Sequence, residues 1–261
     1  MMSDRLLVNG DKDMMSSSTE LASDKEKIIK NKKRVQNHGE VFTPKRIVNK
    51  ILDLPNLREA CLNLTSTFLE PAVGEGTFLV EVLNRKMKMV VKNYGDDLTR
   101  YENYSLLILS TLYGVELLED NAQKCVMNLY QVYYEAYQQQ AIEHGAKMTN
   151  KVLDSAKLII SNNIAQGNFL TKLASSGNPI VFSEWKPVNL RKNAKTIKVQ
   201  RTEYTIMDIL NGIEKEDGEP LTHSVKAEQL DLFEFFDDEE VAEKEQKRMK
   251  YIPVKITHVY K

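Results

Sequence analysis

Cysteine is scarce in this chain of 261 residues: Cys61 and Cys125 stand far apart and in no metal-type spacing. They read as reduced core thiols of a cytoplasmic protein. The 11 glycines and 7 prolines are too few for a collagen-like or low-complexity chain, and 42% hydrophobic residues exclude global disorder. No apolar run approaches the ~18 residues that a membrane span needs, so no membrane association is expected. The first residues hold no continuous apolar core followed by a small-residue cleavage site, so no secretory signal is expected either. His144, His223 and His258 share no ligand spacing with cysteines or acids, and no metal is predicted. The net charge is only -1, which taken alone argues against a dedicated nucleic-acid binder.

That neutrality is a cancellation. Residues 25–50 carry nine basic side chains against Glu26 and Glu40, whereas residues 214–250 carry thirteen acids and six bases. Residues 1–24 are polar and serine-rich without sustained periodicity, which suggests a flexible arm. The expected organisation is a flexible, basic arm over 1–34, one α/β domain over 35–190, and an acidic C-terminal extension over 191–261.

Within the central region the apolar pattern alternates between two periods. Ile47, Val48, Ile51 and Leu52 share one face of a helix, and Thr67-Phe68-Leu69-Glu70 reads as a strand. A helix from Thr77, a short strand ending in Tyr113-Gly114-Val115-Glu116, and a helix from Asn121 to about His144 follow. Tyr130, Tyr133, Tyr134 and Tyr137 on that last helix read as packing residues. Asn163-Ile164-Ala165-Gln166-Gly167 and Pro179-Ile180-Val181-Phe182 read as a third and a fourth strand. Strands alternating with helices predict a mostly parallel sheet.

The most informative stretch is Glu70-Pro71-Ala72-Val73-Gly74-Glu75-Gly76, between a strand and a helix. Two glycines in such a turn let the backbone approach a ligand closely. Glu70 leaves the carboxyl end of its strand, where open α/β sheets bind ligands. A carboxylate there repels a pyrophosphate but suits a cationic ligand. The next strand also ends in an acid, Glu116, which can bridge the hydroxyls of a ribose. A ribose joined to positive charge describes S-adenosylmethionine (SAM).

Together these residues resemble the adenine-N6 DNA methyltransferases whose cofactor motifs precede the catalytic one. His38-Gly39-Glu40-Val41-Phe42-Thr43-Pro44 is similar to the family's N-terminal motif, which packs around the methionine part of SAM. Residues 68–79 resemble its D/E-P-x-x-G-x-G motif, and Tyr113-Gly114-Val115-Glu116 its ribose-binding strand end. Gly167-Asn168-Phe169-Leu170 resembles the step that reads the cofactor adenine. The resemblance covers about residues 35–185. It implies a Rossmann-like sheet with helices on both faces, SAM as cofactor and DNA as substrate, in a restriction–modification or mobile-element setting. His38, Phe42, Thr43, Glu70, Pro71, Gly74, Gly76, Glu116, Asn168 and Phe169 are the cofactor-binding residues it implies.

One part of the pattern is missing. Methylating an exocyclic adenine amine requires a flipped base, acceptors for the amine hydrogens and a stacking ring. The family supplies these with [D/N]-P-P-[Y/F/W], and this sequence contains no such tetrapeptide. Ser183, Glu184 and Trp185 fall where it is expected and are the candidate catalytic residues. Too little chain follows Pro187 for a full target-recognition domain. A subunit dependent on a partner, such as a separate specificity subunit, a nonspecific enzyme or a catalytically inactive relative fits better than a stand-alone, sequence-specific methyltransferase. In the acidic tail, Gln229-Leu230-Asp231-Leu232-Phe233 matches the Q-L-[S/D]-L-F peptide by which bacterial proteins dock on the sliding clamp. An amphipathic helix packing back on the domain is the competing reading.

Overall fold

The computed structural model describes residues 31–38, 40–188, 190–211, 220–221 and 249–261. The chain divides into two units, Met1–Pro44 and Lys45–Lys261. In the first, helix α1 (Lys32–His38) carries Arg34. Its guanidinium grips the Glu40 carboxylate through two hydrogen bonds of 2.7 and 2.6 Å.

The second unit is mixed α/β. It opens with helices α2 (Lys45–Leu52) and α3 (Pro55–Cys61), then strand β1 (Phe68–Glu70) and helix α4 (Thr77–Tyr94). Helix α5 (Leu98–Leu109), strand β2 (Leu112–Glu116), helices α6 (Glu119–Glu143) and α7 (Asn150–Asn163), and strand β3 (Ile164–Asn168) follow. The Asp97 side chain starts α5 by accepting from the Arg100 amide at 3.0 Å, satisfying one of the orphan donors of the first turn. Arg85 fastens α4 to α2: it donates to the Leu52 carbonyl at 2.9 Å and to the Asn49 side chain at 3.0 Å.

Strands β1, β2 and β3 pair in parallel, Phe68 opposite Leu112 and Gly114 opposite Ile164. Because side chains alternate across a strand, Phe68, Leu112 and Ile164 share one face. They join the main apolar cluster with Leu79, Leu83, Leu106 and Ile159 of the helices. Tyr133 and Tyr137 of α6 are wholly buried in that cluster, as the packing reading of the tyrosines expected. Cys61 and Cys125 are buried free thiols.

The rest of the chain departs from the expected pattern. Short strand β4 (Leu173–Ala174) turns back antiparallel to β3. Strand β5 (Val181–Val188) then pairs antiparallel with β6 (Lys198–Thr205), from Val181 opposite Thr205 to Val188 opposite Lys198. The apolar run at 179–182, expected as a fourth strand of the parallel sheet, therefore enters a second sheet. Joining a parallel sheet takes a crossover, usually helical, and residues 169–180 contain a turn and β4 but no helix. Helix α8 (Ile206–Leu210), capped reciprocally by Thr205 and Asp208 at 3.1 and 2.8 Å, follows β6. Strands β7 (Pro220–Leu221), β8 (Lys250–Tyr251) and β9 (Val254–Lys255) complete this sheet in the order β5-β6-β8-β7, with β9 also on β6. The alternating sequence from Tyr251 is broken between β8 and β9 and ends in a 3-10 turn, Ile256–His258.

This second sheet occupies part of the face where helices were expected. Val115, Ile180, Phe182 and Ile206 form a separate apolar cluster flanked by Tyr113 and Ala165. Tyr113 and Val115 point to the face opposite Leu112, so β5 and the start of α8 cover that side of β2 and β3. Residues after 190 also pack into this unit: the Ile197 amide donates to Asn103 at 2.9 Å and the Ala194 amide to the Tyr104 hydroxyl at 3.1 Å. Among the described residues no helix is long and apolar enough to cross a membrane.

Candidate functional site

The carboxyl ends of β1, β2 and β3 form one rim, and the sequence places a polar side chain at each: Glu70, Glu116 and Asn168. Between Glu70 and α4 the chain folds sharply. Gly74 and Gly76 have φ of 56° and 89°, left-handed values that favour glycine. A Cβ on Gly76 would stand 2.8 Å from the Cys125 sulfur, so the turn rests directly on α6. Two further α6 side chains grip it: the Asn128 amide donates to the Glu75 carbonyl at 2.8 Å, and Lys124 pairs with the Glu75 carboxylate at 2.9 Å. Sequence reasoning missed this clamp. Its signal was the spacing of Lys124, Cys125 and Asn128 on one side of a helix.

Glu116 locks the turn from the other side. One of its oxygens accepts from the Gly74 amide at 2.7 Å and the other from the Leu118 amide at 3.0 Å. Each carboxylate oxygen keeps a second lone pair for a ligand. Glu70 is the contrasting acid: its Oε2 is buried and has no hydrogen-bond partner among the described residues. Burial, followed by the charge of Glu116, pushes the Glu70 carboxyl up to about 8. Burial, then Glu70 and Glu116, lifts the Cys125 thiol to about 12, so this cysteine is a packing residue and not a nucleophile. An orphaned buried acid is costly in an empty site, and a cationic group beside it repays the cost.

Asn168 ends β3 in a turn of its own, its side-chain oxygen accepting from the Leu170 amide at 2.9 Å. Its amide nitrogen remains a donor for a ring nitrogen. Phe169 is half-buried against the second apolar cluster. Pro71 is exposed at the start of the turn, Phe42 is half-buried and Thr43 exposed in the first unit. His38 is the last residue of α1.

The three candidates for base chemistry lie elsewhere, on β5. Ser183 is 2% exposed; its carbonyl accepts from the Tyr113 hydroxyl at 3.1 Å and its hydroxyl accepts from Arg201 at 2.8 Å. Trp185 is 4% exposed, donates to the Asn163 side chain at 3.2 Å and has the Arg201 guanidinium 5.4 Å from its ring centroid. These contacts give both residues packing partners inside the protein. Glu184 is exposed. Arg201 is engaged by Ser183, Asn162, Glu203 and the Tyr251 ring. Residues 229–233, the expected clamp-binding peptide, lie outside the described residues.

A model of the N-6 DNA methylase family matches residues 25–205. No match was found among curated proteins or solved structures. The match extends over well more than half of the chain, and the chain belongs to the N-6 DNA methylase family.

Proposed function

We propose that the rim of β1, β2 and β3 binds SAM and that the protein serves adenine-N6 methylation of DNA together with a partner subunit. The observation that carries this reading is the pairing of Glu70, whose Oε2 is buried and unpartnered among the described residues, with a braced acid, Glu116, on either side of a left-handed glycine turn. On this reading the three parallel strands are the cofactor half of a Rossmann-like sheet. Glu70 would hold the positive end of the cofactor, Glu116 its ribose hydroxyls and Asn168 its adenine edge. Gly74 and Gly76 let the backbone come close. The residues present therefore fit SAM, which supplies an electrophilic methyl group when bound.

Titration calorimetry with SAM tests this directly. Binding in the micromolar range is expected, weakened at least about tenfold, or ~1.4 kcal/mol, by Glu116→Gln. A chain that takes up no heat from SAM at any pH between 6 and 9 sinks the reading. Transfer of a labelled methyl group to DNA then measures catalysis separately.

A second reading is favoured by one observation, the burial of Ser183 and Trp185. It makes the chain a methyltransferase-fold module without catalysis that acts through partners, the sliding clamp at residues 229–233 among them. SAM binding without methyl transfer in the presence of the partner supports it. Loss of clamp pull-down in a Leu232→Ala, Phe233→Ala double variant supports the docking peptide.

A further inference from the structure

We propose that one face of the second sheet, built on Lys186, Lys198 and Lys255, holds the phosphate backbone of duplex DNA at the end of the protein opposite the β1–β3 rim. The face stands apart from that rim, and its role does not depend on SAM.

Two acid-free stretches meet here. Residues 185–202 contain six basic side chains and no acid; residues 249–261 contain three lysines, His258 and no acid. The fold lays them side by side. Val188 of β5 stands opposite Lys198 of β6, and Lys198 stands opposite Lys255 of β9. Alternation puts Lys186 on the same face as Val188, so lysines on three adjacent strands share one surface. All three are exposed. None has an ion-pair partner among the described residues. On β5 this face also carries the exposed Glu184, four residues from Val188 towards the rim. Like charges directly opposite each other on a sheet are destabilising, and Lys198 and Lys255 are such a pair. A bound polyanion reverses the sign of that cost.

The charge continues on both sides. In the turn between β5 and β6, Arg191 and Lys192 are exposed. Helix α5 holds this turn in place: the Asn103 amide donates to the Lys195 carbonyl at 3.1 Å and the Tyr104 hydroxyl to the Arg191 carbonyl at 3.3 Å. Lys195 itself pairs with Asp97 at 2.8 Å. Beyond β9, burial and then the charges of Lys151, Lys261 and Lys255 push the His258 imidazole below its usual range. The charges that act on this ring are all lysines.

Strand direction fixes the position. Leu173 pairs with Asn168 at the rim and bridges to Pro179, so β5 starts beside the rim. Trp185 bonds to Asn163, the residue before β3 begins, at 3.2 Å. Val188 and Lys198 lie three residues further on, about 23 Å along the strand from Val181. The face is thus beyond the amino ends of the parallel strands. On the proposed reading the methylated base meets the rim, so DNA on this face is a flanking or a second stretch.

The occupant follows from the chemistry. Lysine is a point charge without the planar fork that takes a carboxylate in two bonds, and it suits phosphate. The chain also belongs to a family that acts on DNA. Contacts of this kind position a duplex and carry no sequence information.

The test measures binding of the full chain to two labelled duplexes of unrelated sequence, by fluorescence anisotropy over a salt series. Lys198→Gln with Lys255→Gln is compared with Lys88→Gln with Lys92→Gln, an equal loss of charge on exposed positions of α4. The first pair is expected to weaken both duplexes equally, at least about fivefold at low salt, and to lower the slope of log K against log salt by about 1.8. The α4 pair should change neither. Whatever residues 25–50 contribute is common to all variants. Relief of the like-charge pair predicts that the first variant unfolds at no lower temperature than the wild type, and earlier unfolding overturns the premise. Equal losses in the two variants overturn the proposal, as does an effect confined to one duplex. Competition by polyglutamate as strong as by DNA, at equal charge, assigns the face to an acidic protein and overturns it too. SAM calorimetry on the same samples keeps the two ideas apart. SAM binding with DNA indifferent to Lys198 and Lys255 refutes the face alone, and DNA held by the face without SAM binding refutes the cofactor reading alone.

Discussion

The two sheets of this protein solve different problems. The parallel sheet ends in a rim where two glycines adopt left-handed backbone, one acid is braced by amides and another has a buried oxygen with no hydrogen-bond partner among the described residues. The antiparallel sheet has no such costly features at its candidate residues: Ser183 and Trp185 are buried with their polar atoms bonded. Strain and orphaned polar groups persist where a ligand repays them. On the proposed reading, ligand chemistry falls to the first sheet and support to the second.

Substitutions at four positions probe that contrast, the positions taken from the largest effect to the smallest. Trp185→Ala empties a filled site between α7 and the second sheet and is expected to cost about 3–5 kcal/mol in denaturant unfolding. Trp185→Phe keeps most of the volume and costs about 1–2 kcal/mol by stranding Asn163. If Trp185→Ala left stability unchanged while abolishing methyl transfer, the ring would belong to base chemistry and the contrast would break. Gly76→Ala meets both a φ of 89° and the Cys125 sulfur; a loss of about 2–4 kcal/mol is expected, with SAM binding weakened in the same variant.

Glu70→Gln separates the rim from the support by pH. The folded Glu70 carboxyl titrates near 8 against an ordinary 4.5, so the folded protein holds a proton that the unfolded chain releases. Its favourable contribution is complete below 4.5 and is lost as pH rises through 8. The glutamine variant should therefore match the wild type at pH 4 and exceed its stability at pH 9 by on the order of 2 kcal/mol in thermal or urea unfolding. For a cationic ligand the sign reverses. Ionised Glu70 binds better, so wild-type affinity for SAM rises with pH up to about 8, and the variant's profile is flatter. The smallest effect is Glu184→Ala, which removes an exposed side chain and should change stability by less than about 0.5 kcal/mol. Any fall in methyl transfer in that variant then reports chemistry and not folding.

Much of the first sheet was legible because its signals are local. Phe68-Leu69-Glu70, the glycine turn and Tyr113-Gly114-Val115-Glu116 announce strand, turn and strand within a few residues each, and the family match covers them. The second sheet was not legible. Nothing in Pro179-Ile180-Val181-Phe182 says which strand it pairs with; that is decided by the connection before it and by residues 198–205 after it. The same limit applies to single side chains. Trp185 looked available for stacking because its partner Asn163 is remote in sequence, and the Glu116 brace on Gly74 spans 42 positions. The acids themselves could be found by position; what each one touches depends on the assembled chain.

The Glu116 brace also bears on selectivity. Its carboxyl group is fixed by the Gly74 and Leu118 amides before any ligand arrives, so a nucleoside need not freeze a wandering side chain and little rotamer entropy is lost. A rigid acid is correspondingly intolerant. A deoxyribose leaves one of its lone pairs unanswered, and a phosphate on the ribose meets like charge at contact range. On the SAM reading, the two hydrogen bonds that hold the turn also fix this carboxylate where it favours unmodified ribose hydroxyls and disfavours a ribose phosphate.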